Sequence, residues 1–238
     1  MHGLKLSEPP PADHRFGGRW TEEKLDCVKQ YLAAYMTIFT ANPRAAKLRT
    51  IYVDAFAGTG YRTGRRPDDS PLLPFIDDED ASAYRKGSTR IALEVEPPFS
   101  QYLFIERDAD RVEELEALRE EFTSKGRTIT VRQAEANESL RLWCQKTDWK
   151  RYRAVVFLDP YGMQVEWPTL GALARTQAVD LWLLFPLGHA VIRLLTRREL
   201  PPPEWAEALT RAFGTEDWRE AFYKPSGQGK LFGLGEGI

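Results

Sequence analysis

Five short apolar runs, each set apart from the next by enough chain to form a helix, constrain the folding of this sequence most. They are Thr50 to Phe56, Tyr102 to Glu106, Thr128 to Arg132, Ala154 to Leu158 and Asp180 to Phe185. Each is of strand length and rich in β-branched or aromatic residues, and the stretches between them space their apolar residues as helices do. Only parallel strands need crossovers of that length, so the alternation predicts an α/β chain with a doubly wound, mostly parallel sheet rather than a sandwich.

The helical segments can be placed from their punctuation. Thr21 reads as the cap of a first helix whose apolar positions Leu25, Val28, Leu32, Tyr35 and Phe39 recur until Pro43. Gly87-Ser88 opens a helix that runs through Leu93 and is broken by Pro97-Pro98. Asp110 to Phe122 has the pattern of an amphipathic helix ended by Gly126, a fourth helix carries Leu140, Leu142 and Trp143, and Trp205 to Phe213 forms another in a helical C-terminal part. The polar, Pro-rich residues 1–19 read as a flexible tail. Residues 20–238 then make one domain, interrupted by the aperiodic loop 61–86, which rises from a glycine turn and is placed to act as a lid.

Composition narrows the function classes. With 42% hydrophobic residues, seven Trp, nine Tyr and twelve Phe, 238 residues can fill a sizeable core. A net charge of −2 argues against a surface basic throughout, although a local basic patch remains compatible with nucleic acid. Cys27 and Cys144 stand far apart without a histidine cluster, so neither a disulfide framework nor a metal site is expected. No apolar run approaches the roughly 20 residues that cross a bilayer, and the start lacks a signal-peptide core. The expected setting is cytoplasmic.

The chemistry-bearing residues gather at strand ends. Asp54 leads into Ala55-Phe56-Ala57-Gly58-Thr59-Gly60, Glu106 ends the second run, Gln133-Ala-Glu135-Ala-Asn137 follows the third, and Asp159 follows the fourth. The carboxyl edge of a parallel sheet is where such folds bind ligands, and glycines there let the backbone approach closely. A carboxylate offers paired acceptors in one plane, which suits Glu106 to two ribose hydroxyls. A dinucleotide site has three glycines and an acid about 20 residues on. Here there is no third glycine, and Glu106 follows 46 residues after Gly60, which favours a cofactor with one nucleoside and an amino-acid tail.

At these residues the chain resembles the class I S-adenosylmethionine-dependent methyltransferases, whose fold is Rossmann-like, and within them the three-Cys-motif partner (TcmP) family. The resemblance is carried by Tyr52-Val-Asp-Ala-Phe-Ala-Gly-Thr-Gly60, Pro97-Pro-Phe, Tyr102-Leu-Phe-Ile-Glu106, Phe157-Leu-Asp-Pro-Tyr-Gly162 and Asp180-Leu-Trp-Leu-Leu-Phe-Pro-Leu-Gly188, and it extends from Trp20 to about Tyr223. It implies S-adenosylmethionine as cofactor. Asp54, Gly58 and Gly60 would cradle the methionine part, Glu106 the ribose and Glu135 the adenine edge, with Ala55, Phe56, Thr59, Arg107 and Asn137 also at the cofactor. It also implies a partner, a radical-SAM-like protein bearing three cysteines, and leaves the substrate unassigned.

Asp159-Pro160-Tyr161-Gly162 is similar to the turn of methyltransferases that act on exocyclic amines of nucleobases. Such an amine is a poor nucleophile while its lone pair is delocalised into the ring. Asp159 and the Pro160 carbonyl would accept its hydrogens, and Tyr161 would stack on the base. One proline where the commoner motif has two makes the turn similar to that of tRNA guanine-N2 dimethyltransferases, so RNA guanine is suggested, with adenine and cytosine left open. Tyr61, Arg62 and His189 are candidate substrate contacts, and Lys24 and Tyr31 share the helix face that would cover the site. Five strands also suggest a sheet incomplete at its C-terminal end, whose uncovered edge would favour a homodimer or a partner. The alternative to an enzyme is a cofactor-binding subunit whose partner does the chemistry.

Overall fold

The computed structural model describes residues 18–57, 87–160, 162–187, 191–195 and 200–223, with the side chains of 18–25 and 193 outside that description. Its centre is a five-stranded sheet in the order β3-β2-β1-β4-β5, every pair parallel: β1 Arg49–Asp54, β2 Gln101–Glu106, β3 Ile129–Gln133, β4 Tyr152–Leu158 and β5 Val179–Leu183. The doubly wound prediction therefore holds. The order reverses between β1 and β4, which opens a crevice at their carboxyl ends.

Burial explains why the runs were legible. Beyond their first residues β1, β2 and β4 are buried on both faces, which is what a continuous apolar run requires, whereas β3 and β5 at the margins keep exposed positions. On one face Tyr52, Tyr102, Phe104, Val155 and Phe157 meet α1 (Gly18–Ala41), α2 (87–94) and α3 (Ala109–Thr123). On the other face Ile51, Val53, Leu103, Ile105, Val156 and Leu158 meet α4 (Ala136–Lys146) and α5 (Trp167–Arg175). A smaller cluster joins the single turn α6 (Ile192–Leu194), α7 (Pro203–Phe213) and α8 (Trp218–Tyr223), with Leu209 and Trp218 at its centre.

Several boundaries differ from expectation. The first helix already includes Gly18, so Thr21 lies inside it rather than capping it, and the expected tail loses residues 18 and 19. The expected amphipathic third helix fully buries only Leu115 and Phe122, because α3 covers the β2–β3 margin, where little apolar surface needs cover. Its cap is Asp108, whose carboxylate accepts from the Arg111 N–H at 3.1 Å. Loop 61–86 lies outside the described residues. No helix among the described residues is long and apolar enough to cross a membrane.

Candidate functional site

Asp54 is 1% exposed and Glu106 2% exposed, so the carboxyl ends of two adjacent strands hold two fully buried carboxylates. Strand alternation puts both on the face of Tyr52 and Phe104. Burying such a group costs several kcal/mol unless donors replace its water, and the local backbone supplies them. Asp54 accepts from the Phe56 N–H at 3.2 Å and from the Ser88 hydroxyl at 3.1 Å. The chain after β1 thus folds back over its own carboxylate, and α2 brings the Ser88 hydroxyl to the same group. Glu106 accepts at one oxygen from the Arg107 and Asp108 N–H groups, at 2.7 and 2.9 Å.

Residues 55–57 bridge both neighbours of β1. The Ala55 N–H reaches the Phe157 carbonyl at 3.4 Å, and the Ala57 N–H reaches the Ile105 carbonyl at 3.2 Å. Ala55, Phe56 and Ala57 are themselves buried, so their contribution is the shape of the backbone that leads to the glycines. Gly58, Thr59, Gly60, Tyr61 and Arg62 lie outside the described residues, as do Tyr161, His189 and the Lys24 side chain.

Across the reversal, Asp54 is level with Phe157, and Asp159 comes two residues later, just beyond the end of β4. Asp159 is half-buried and Pro160 buried, and Gly162 takes φ +75°, a conformation that favours glycine. A small apolar hollow of about 20 Å³ beside this turn, bordered by Pro160, Val165, Leu183 and Phe185, is a packing gap rather than room for a base.

Glu135 and Asn137 have firm structural employment. Glu135 is the N-cap of α4, and its carboxylate accepts from the Asn137 N–H at 2.9 Å and the Glu138 N–H at 2.8 Å. Burial alone would raise this carboxyl, but those N–H groups, the Asn137 amide and Arg141 outweigh it and hold its pKa below the ordinary 4.5. Asn137 is 6% exposed and uses its whole amide. Its nitrogen donates to Glu135 and to the Gln164 carbonyl, both at 2.8 Å, while its oxygen accepts from the Glu166 N–H at 3.0 Å and the Thr169 hydroxyl at 2.9 Å. Its hydrogen bonds tie the end of β3 to the chain after the Asp159 turn, so this side chain acts as a strut and has no capacity left for a ligand.

Of the expected residues, Asp54, Glu106, Glu135 and Asp159 stand at the carboxyl ends of four neighbouring strands, and Arg107 is exposed beside Glu106. Tyr31 packs instead of lining the site: its hydroxyl donates to Asp180 at 3.1 Å and its ring lies 4.7 Å from that of Trp182, joining α1 to β5. Burial, then the nearby Asp180 carboxylate, raises its phenol pKa. Ser88 was not anticipated as a contact of Asp54. A small polar residue opening a helix was the available signal, but only the packing of α2 on β1 gives it that partner. No protein-family model, no curated protein and no solved structure matches this chain.

Proposed function

We propose that this chain binds S-adenosylmethionine at the carboxyl edge of its sheet and methylates an exocyclic amine of a nucleobase. The observation that carries this is the pair of buried carboxylates, Asp54 and Glu106, on adjacent strand ends. As a donor set they fit the group: acceptors for an ammonium and for vicinal hydroxyls, beside a chain that runs into Gly58 and Gly60. S-adenosylmethionine supplies a methyl group activated on a sulfonium. Glu106 would accept from the ribose hydroxyls, Asp54 would anchor the methionine end through the turn it organises, and the exposed edge of Glu135 would border the adenine. The Asp159 carboxylate and the Pro160 carbonyl would accept the amine hydrogens and hold the nitrogen's lone pair out of conjugation, with Asp159 receiving the released proton. Tyr161 would stack on the base.

Calorimetric titration with S-adenosylmethionine and its demethylated product tests the cofactor. Glu106→Gln should weaken binding by about tenfold or more, the worth of a hydrogen bond to a charged acceptor. Asp159→Asn should leave affinity within about twofold and abolish labelled methyl transfer into nucleic acid. No binding by the folded wild type would remove the proposal. A second function, a non-catalytic subunit with a partner at the β5 margin, draws support from exposed Leu181, Phe185, Leu187 and Ile192. Cofactor binding without transfer until a partner is added, and indifference to Asp159→Asn, would favour it.

A further inference from the structure

Many exposed cations of this molecule are neutralised, while others, such as Lys29, Lys146, Arg175 and Arg211, stand without an ion pair among the described residues. Arg90 and Lys125 meet Glu121, Arg111 meets Glu114, Arg127 meets Glu96 and Arg141 meets Glu166. The amino-terminal edge of the sheet gathers cations of the second kind. There Arg44, Lys47, Arg49, Lys150 and Arg151 are all exposed, and none has an ion pair among the described residues. Lys47, Arg49, Lys150 and Arg151 share one surface because the Arg49 N–H bonds the Arg151 carbonyl at 2.9 Å and all four lie within two residues of that contact, with Arg44 three residues before Lys47. The nearby acid Asp148 accepts from the Lys150 backbone N–H at 3.1 Å. An aromatic group is interleaved: the Arg49 guanidinium lies 5.6 Å from the Tyr152 ring centre and donates to its hydroxyl at 3.3 Å.

Helix dipoles do not call for this cluster, since the last turn of α1 has no basic residue and that of α4 has only Lys146. Nor is it a pocket for one small anion, because the five groups are spread along an open edge whose strands are about 4.8 Å apart. Unneutralised, extended positive charge with an aromatic ring in a chain of net charge −2 is the footprint of a phosphodiester backbone. We propose that this edge binds the backbone of the nucleic acid whose base is presented at the opposite edge. The choice of nucleic acid rests in part on the function proposed above. The reach is right: from Arg151 beside the start of β4 to Asp159 beyond its end is eight residue steps, about 26 Å at the rise of a parallel strand.

The test is fluorescence anisotropy of a labelled single-stranded RNA of about 20 nucleotides with the full chain, across a salt series, for wild type and the triple variant Lys47→Gln, Lys150→Gln, Arg151→Gln. The variant should bind about tenfold more weakly or worse at low salt, and its slope of log affinity against log salt should be shallower by about two. Its thermal unfolding and its titration with S-adenosylmethionine should match the wild type. Equal affinity and slope in the two proteins would overturn the proposal, as would a wild type that ignores RNA or that sediments with phosphatidylserine vesicles instead. RNA binding through this edge in a chain that binds no cofactor would leave the surface standing and remove the methyltransferase function. Cofactor binding without RNA binding would do the reverse.

Discussion

At Gly214 the chain asks two things of one residue. The backbone there turns left-handed at φ +73° to end α7, and a Cβ would run into the Trp167 ring. Trp167 is 52% exposed, so the close approach lies at the surface and not in the core. Gly214→Ala should cost well over the roughly 1–2 kcal/mol of a left-handed alanine, read by chemical denaturation. In a Trp167→Ala background the penalty should fall to about that conformational cost. An undiminished penalty there would show that the tryptophan is not the obstacle. The glycine is plain in the sequence. Its need is not, because Trp167 lies in another helix.

Elements in this fold are joined by polar side chains at their ends. The Glu135 cap and the Asn137 strut are one such joint, and the charge on Glu135 contributes to it because N–H groups converge on the carboxylate. A carboxyl with a depressed folded pKa adds stability above its unfolded value and loses it as pH falls through the folded one. Glu135→Gln should therefore be less stable than wild type at neutral pH, and the gap should close as pH drops from about 4.5. Urea melts at several pH values would measure it, and a gap that stays constant down to about pH 3 would mean that the charge adds nothing. That an acid stands after the third strand was visible from the run Gln133 to Asn137. That Asn137 is saturated by Gln164, Glu166 and Thr169 was not, since those partners are supplied by the approach of α5 to α4.

For the whole molecule, two apolar layers sandwich a sheet whose central strands are sealed on both faces. Amide exchange should be slowest at Tyr52, Val53, Phe104 and Val156, each fully buried, and faster at Asp180 and Leu181 in the marginal β5. Uniform protection across the five strands would contradict this layering. Local pattern was enough to announce the strands, most of the helices between them and the acids at the strand ends, because apolar runs and turn residues are written within a few neighbours of each other, whereas α5 was not placed. It was equally enough for the parallel class, since crossover length excludes hairpins. Strand order, the reversal between β1 and β4 and the basic edge made by Arg49 beside Arg151 depended on which distant segments pair. So did the hold of Ser88 on Asp54. Those pairings are set by burying all the apolar faces at once, a condition that no window of the sequence contains.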